Sequence, residues 1–299
     1  MKITVLGSLN MDLVAKVEKS PRPGETIQGK DFQIYCGGKG ANQAYAAAKL
    51  GGDVTMLGQV GKDDFGEKLI QNLYEIGINT KFVSVHSSKN TGTAMIEVDE
   101  NGENRIIVIS GANDIEESFV ENHLNLISQA DVLLLQLETP MKAVKKSLDQ
   151  ASKMKTTTIL DPAPAKLIPD EWFSLLDFIT PNLSELSTMT QTPLNQLIST
   201  EKIKEAAHNL LNKGVGNVIV KMGNKGALKV CHDDYFLCSA DKVDAVDSTG
   251  AGDCFNGALA CELSKGKTID EALKFSVKAA SQSVTKPGAQ PSMPFREEL

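Results

Sequence analysis

Metal-binding and redox side chains are scarce in this sequence. The four histidines, His86, His123, His208 and His232, stand alone, without partners at ligand spacing, so each reads as a surface or loop residue and a zinc enzyme has no support. The five cysteines, Cys36, Cys231, Cys238, Cys254 and Cys261, form no CxxC pair. That pattern argues against a disulfide framework and fits buried free thiols in a reducing cytoplasm. Basic residues do not predominate: Lys+Arg number 31 against 38 Asp+Glu, a formal charge of −7. No nucleic-acid partner is expected, because a phosphate backbone needs a basic face, although a small anion needs only a local positive pocket. Apolar runs are short. The longest, around Val132–Leu135, falls far below the ~20 residues of a membrane span. The opening MKITVLGSLNMDLV is interrupted by Asn10 and Asp12, so no secretory leader is expected. Three catalytic strings are missing as well: GxSxG, GxxxxGK[ST], and GxGxxG after a strand. Their absence removes a serine hydrolase, a Walker A loop and a dinucleotide fingerprint.

What the sequence does contain is alternation. Over 299 residues, 41% hydrophobic and 23% charged, β-rich apolar runs alternate with helical patterns. Strands are expected over 3–7, 54–60, 131–137, 157–161, 178–180 and 218–221. Helices are expected over 40–50, where alanines should allow close packing on a sheet, and over 65–76. The continuous apolar run at 131–137 is the signature of a strand buried on both faces. This order predicts an α/β fold with a mostly parallel central sheet and helices on both faces. Residues 13–36 and 91–110 break the pattern: they have strand character but no helices, with the turn-rich DENGEN at 99–104. They are expected to form a small β-sheet lid on a single 1–299 domain, a common way to exclude water from a site. A hairpin over 227–231 and 235–238 and helices from about 250 and over 269–284 complete the chain.

Four segments carry chemistry. In Asp247-Ser248-Thr249-Gly250-Ala251-Gly252-Asp253, glycines precede an apolar helix, leaving backbone N–H groups open to an anion at a helix start. Asp253 there suits the helix dipole, and beside a phosphate it could accept a proton from an attacking hydroxyl. Cys36-Gly37-Gly38-Lys39-Gly40-Ala41-Asn42 also leads a helix. Its glycines admit close approach of a ligand, and Asn42 offers both donor and acceptor to a sugar hydroxyl. Asn10 and Asp12 follow the first strand, and Glu138 ends the buried one. Both sites lie where open α/β sheets bind ligands. Finally, Asn182 and Glu185 in TPNLSE match a helix cap, or oxygens facing hydrated Mg²⁺. Each segment also has a plain structural reading as a turn or a helix start.

Taken in order, these segments resemble the PfkB (ribokinase-like) family of carbohydrate kinases. The resemblance covers essentially the whole chain: GSLNMD, PGET at 23–26, GGKGANQA at 37–44, LQLETP at 135–140, DPAPA at 161–165, TPNLSE at 180–185, DSTGAGDCFNGAL at 247–259 and KPGAQPSMP at 286–294. It implies an ATP-dependent kinase acting on a sugar hydroxyl, with the 5-hydroxyl of D-ribose as the expected acceptor. Related acceptors are fructose, 2-keto-3-deoxygluconate, deoxyribose or a nucleoside, and a non-catalytic sensor is the reading from a different class. By resemblance Asn10, Asp12, Gly38, Lys39, Asn42 and Glu138 would hold the sugar, and Asp253 would be the general base. Gly250, Ala251 and Gly252 would form the anion hole. Asn182 and Glu185 would organise Mg²⁺ and phosphates through water. Lys221, Gly223 and Gly226 would lie on the adenosine side, where the family's Thr-Leu-Gly is replaced by Lys221-Met222-Gly223. A monovalent cation, usually K⁺, would sit near Asp247, Thr249, Ser283, Lys286, Gly288 and Ser292. The resemblance further implies a cytoplasmic homodimer joined through the lid, for which Ile27, Phe32, Ile34, Ile96 and Val98 would supply the apolar face.

Overall fold

The computed structural model describes residues 1–299. Its strands are β1 (Lys2–Leu6), β2 (Asn10–Lys16), β3 (Asp31–Gly37), β4 (Asp53–Gly61), β5 (Val83–His86), β6 (Gly92–Val98), β7 (Asn104–Ile109), β8 (Val132–Leu135), β9 (Thr157–Leu160), β10 (Phe178–Ile179), β11 (Asn217–Lys221), β12 (Ala227–Val230) and β13 (Tyr235–Cys238). Its α-helices are α1 (Lys39–Lys49), α2 (Asp64–Glu75), α3 (Glu117–Glu121), α4 (Leu124–Ser128), α5 (Met141–Met154), α6 (Leu183–Thr190), α7 (Thr200–Leu211), α8 (Ala251–Ser264) and α9 (Ile269–Ser283).

Nine strands make the main sheet in the order β13-β12-β11-β10-β9-β8-β1-β4-β5. Every pairing from β11 to β5 is parallel, and only the β11–β12–β13 edge is antiparallel. The apolar run of β8 shows why the sheet is covered on both sides. Val132 and Leu134 enter one core with α1, α2, α8 and α9, while Leu133 and Leu135 enter a second core with α3 to α7. A parallel strand buried on two faces needs no polar alternation. The strand order reverses between β1 and β8, whose carboxyl ends are neighbours. Open α/β sheets bind ligands in the crevice outside such a point.

A second sheet of four strands, β3-β2-β6-β7, stands beside the first. It comes from the two stretches that lack helices, but with different bounds. Residues 17–30 hold no strand, and β2 begins at Asn10. Asn10 and Asp12 are therefore strand residues of the small sheet rather than turn residues after β1. Asn113 explains the early start: it accepts from the Leu9 amide at 2.8 Å and donates to the Leu9 carbonyl at 3.0 Å. The connection to β2 is thus satisfied without a turn. β5 is a further strand that its short, half-buried pattern had hidden.

Helix α1 has its most intimate contact with α8 rather than with the sheet. A Cβ on Gly257 would stand 2.6 Å from both the Ala46 Cβ and the Gln43 carbonyl. Small residues on both helices thus let the backbones approach closely. This brings the first turn of α8 beside Asn42 and Gln43 of α1.

Candidate active site

The carboxylate of Asp253, in the first turn of α8, is buried at 6% exposure. Each of its oxygens accepts one amide from α1: Asn42 Nδ2 reaches Oδ2 at 3.0 Å, and Gln43 Nε2 reaches Oδ1 at 3.0 Å. Burial pushes the Asp253 carboxyl above the usual carboxylate range, and nearby Asp161 adds to this; Lys39 and the two amides pull the other way. Lys39 shows the reciprocal balance. Burial works against its charge, but Asp253, Asp161, Glu138 and Glu185 outweigh it, so the ammonium is held above its normal range. One cation thus sits among several carboxylates.

Gly250 caps α8 in the left-handed region at φ 74°. The Ala251 amide donates to the Ser248 carbonyl at 3.2 Å, whereas Gly250, Gly252 and Asp253 offer N–H groups with no backbone acceptor. A helix start with free amides carries partial positive charge. Lys221 reinforces it: its Nζ lies 3.5 Å from the point where a Cβ on Gly252 would stand. Lys221 is held there by Asp161, 2.8 Å away and 2% exposed. The other oxygen of Asp161 accepts from Gln43 at 2.9 Å. Gln43 therefore joins the base candidate to the lysine's counter-ion.

The sugar-side candidates converge at the β1/β8 switch point. Ser8, after β1, donates to Glu138, after β8, at 2.5 Å, and the same Glu138 oxygen accepts the Lys39 amide at 3.1 Å. Gly38 turns the chain into α1 at φ 89°, where a Cβ would stand 2.6 Å from the Asn10 amide nitrogen; only glycine fits. Asn10 is buried, its side-chain oxygen taken by Asn113 at 2.7 Å, so its amide hydrogens remain for a ligand. The Asp12 carboxyl lies against Gly37. Burial, then Glu138 and Asp253, raise it from the ordinary 3.8 to about 7, against the pull of Lys39. A polar cavity of about 510 Å³ opens beside Glu138, lined also by Asn113, Thr139 and Lys166.

The remaining candidates divide. Asn182 and Glu185 form a capping box on α6, both Glu185 oxygens accepting from Asn182. Glu185 also shares the field of the neighbouring charges: burial raises its carboxyl and Asp161 adds to this, while Lys221, the Asn182 amide and Lys39 pull it down. Gly223 and Gly226 shape the tight turn between β11 and β12. Asp247 accepts from the Thr249 amide and hydroxyl at 2.9 and 2.6 Å and from the Gly288 amide at 2.8 Å, so it ties these two loops together. Ser283 and Ser292 bond back to Ala280 and Ala289, and the Lys286 ammonium turns away to Glu298. The cysteines are free, and burial pushes the Cys254 thiol up to about 12. No group of three His, Cys, Asp or Glu side chains is arranged to hold a metal ion. Sequence reasoning missed Gln43, Asp161, Asn113 and Gln290. Gln43 and Asp161 stand inside the GGKGANQA and DPAPA strings, yet only the three-dimensional contacts give them a purpose.

A helix start with free amides, a buried carboxylate and a group of polar side chains beside the β1/β8 switch point are the parts a small-molecule kinase requires. The pfkB family carbohydrate kinase model matches residues 1–296, and the chain belongs to that family. A ribokinase of Haemophilus influenzae is 40% identical over 297 residues, spanning 99% of this chain and 96% of its own. A deoxyribokinase of Salmonella typhi is 38% identical over 301 residues, spanning 100% and 97%. The structure of Arabidopsis thaliana ribokinase complexed with ribose and ATP superimposes with a TM-score of 0.91 at 33% identity, covering 99% of this chain and 96% of that one.

Proposed function

We propose that this protein transfers the γ-phosphoryl group of ATP to the 5-hydroxyl of D-ribose, giving D-ribose 5-phosphate and ADP. The observation that carries this is the position of Asp253, whose buried carboxylate is held by Asn42 and Gln43 of α1 beside the free amides of the α8 start. Ribokinase relatives along the whole chain support the choice of ribose. The deoxyribokinase relative makes 2-deoxyribose the alternative acceptor.

Asn10, Asp12, Gly38, Lys39, Asn42 and Glu138 hold the sugar. Asp253 takes the proton as the hydroxyl oxygen attacks phosphorus. Its raised pKa brings it closer to the working pH, which suits a general base. The amides of Gly250, Gly252 and Asp253, with Lys221, receive the charge on the transferred group. Positioning and charge neutralisation are most of what phosphoryl transfer requires. Gly223 and Gly226 border the nucleotide side.

Lacking a carboxylate cage, the protein suits a Mg²⁺ that arrives on the nucleotide with its own water, steered by Asn182 and Glu185. When bound, that ion neutralises phosphate charge. Asp247 fits a K⁺ or similar ion beside the 247–249 and 283–292 segments. Burial alone would raise it, but hydrogen bonds from Thr249 and Gly288 hold its carboxyl below the usual range. A fixed negative charge suits a weakly hydrated monovalent cation, for which the family resemblance would draw the remaining oxygens from Thr249, Ser283, Lys286, Gly288 and Ser292. No helix is long and apolar enough to cross a membrane, and with five free thiols we place the protein in the cytoplasm.

We further propose a homodimer through the small sheet, which acts as a lid. The register aligns Ile34, Leu13, Met95 and Ile107 in one row across all four strands. Phe32, Ile34, Met95, Ile107 and Ile109 are exposed on this face. Of the residues expected there, Ile27, Ile96 and Val98 are instead half-buried, and β7 supplies the larger share.

Two assays test the activity. A panel of pentoses and hexoses with Mg-ATP should give ADP release fastest with ribose; faster turnover of deoxyribose or a hexose would reassign the acceptor. Asp253→Asn should bind ribose normally while losing about 10²-fold or more in kcat, as for a lost general base. Near-normal turnover of that variant would remove Asp253 from the mechanism.

A further inference from the structure

Asn42 can turn either its nitrogen or its carbonyl oxygen toward Asp253, and only the nitrogen is tolerated beside an ionised carboxylate, which accepts but does not donate. What holds Asn42 the right way lies behind it. Gln290 Nε2 donates to Asn42 Oδ1 at 3.0 Å, and Asn72 Nδ2 donates to Gln290 Oε1 at 2.6 Å. Three donor nitrogens therefore point the same way, from Asn72 on α2, through Gln290 and Asn42, to Asp253. Gln290 is 2% exposed and opens the short 3₁₀ turn Gln290–Ser292, immediately beyond the 286–288 segment. Asn72, at the outer end, is half-buried. A buried amide is costly unless its groups are paired, and here the carbonyl and the nitrogen of Gln290 each have one partner. An apolar side chain of the same length would fill the space but carry no direction.

We infer that Gln290 is a positioning residue for phosphoryl transfer: it fixes the polarity of Asn42 and thereby the aim of Asp253 at the sugar hydroxyl. This rests on the assignment of Asp253 as the base. Among the residues proposed to hold the sugar, Gln290 hydrogen-bonds only to Asn42 and Asn72 to none, so their influence travels through Asn42. Gln43 is steadied from a different quarter, its Oε1 accepting from Gln136 at 2.7 Å. The two oxygens of Asp253 are thus held independently, and loss of one relay leaves the other in place.

The diagnostic change is Gln290→Glu, which keeps the shape and, in its ionised form, deletes the donor, so kcat is compared across pH up to about 9, where a buried carboxyl is ionised. Asn42 must then offer its nitrogen backward and its carbonyl to Asp253. Gln290→Met deletes both contacts without reversing anything. With a charge-assisted hydrogen bond at stake, kcat for sugar phosphorylation should fall about tenfold or more in Gln290→Glu and about threefold in Gln290→Met. In both variants KM for ATP should stay within about twofold, because the nucleotide amides are untouched. Asn72→Asp, made at the accessible end, should lower kcat in the same sense without disturbing the core; it decides the matter should a Gln290 variant not fold. Wild-type kcat for Gln290→Glu, or equal losses in Gln290→Glu and Gln290→Met that follow a lowered Tm, would overturn the relay. The comparison is made on whichever sugar the wild type phosphorylates. Failure of ribose turnover in the wild type counts against the ribose reading, whereas the variant-to-wild-type ratio counts for or against Gln290.

Discussion

Asp12 illustrates how the site is maintained at a cost in stability. Its carboxyl is raised from the ordinary 3.8 to about 7, chiefly by burial and then by Glu138 and Asp253. Folding therefore favours its protonated form. The contribution of this group is complete below about pH 4 and is lost as the pH rises toward 7, a change on the order of 2–4 kcal/mol. Asp12→Asn cannot ionise, so by denaturant titration it should match the wild type at pH 4 and exceed it at pH 8. Parallel stability curves for the two proteins would refute this account of Asp12. The gain should come with weaker ribose binding, the usual exchange between stability and a strained polar site. At this scale the sequence was only partly readable. Asp12, Glu138 and Lys39 could be named from their place in motifs, but their mutual electrostatics could not, because residues 12, 39, 138 and 253 meet only after folding.

At the scale of elements, the close crossing of α1 and α8 is what delivers two amides to one carboxylate. Gly257 sets the distance between the helices against Ala46 and the Gln43 backbone, and Asn42 and Asp253 lie a turn away from that contact. Gly257→Leu should therefore cost about 1–3 kcal/mol or more through overpacking and should also lower kcat, by separating the amides from Asp253, the proposed base. Loss of stability with unchanged kcat at a permissive temperature would break that connection. The alanines of α1 were legible as a sign of close packing, but their partner was not: periodicity marks a buried face without saying what covers it. The main-sheet strands and long helices could be read because parallel strands buried on both faces give unbroken apolar runs. β5 and the true start of β2 could not, since a four-residue strand carries little pattern and Asn113, which stabilises the entry to β2, lies over a hundred residues away.

For the whole molecule, the small sheet is the feature with an unpartnered apolar surface. Exposed Phe32, Met95, Ile107 and Ile109 form a patch of the kind that marks an association site. Met95→Glu, at its centre, should shift the protein from dimer to monomer in sedimentation velocity at micromolar concentration. A wild type that sediments as a monomer at that concentration would remove the dimer proposal. The sequence announced a β-rich excursion and placed its apolar face on Ile27, Phe32, Ile34, Ile96 and Val98, of which Phe32 and Ile34 are exposed there and the others are half-buried. Strand register, unavailable to a linear reading, decides which residues of β6 and β7 share a face.

The proposed sugar ligands are divided between the small sheet and the body: Asn10 and Asp12 belong to β2, whereas Lys39 and Asn42 belong to α1 and Glu138 follows β8. On the proposed reading, a pentose gripped by both would act as a rivet between two plates. Molecules without matching alcohols would leave the plates unfastened, and water, the commonest rival for the phosphoryl group, would then meet an unassembled centre. Wasteful ATP hydrolysis would be restrained by the fit of the cargo itself.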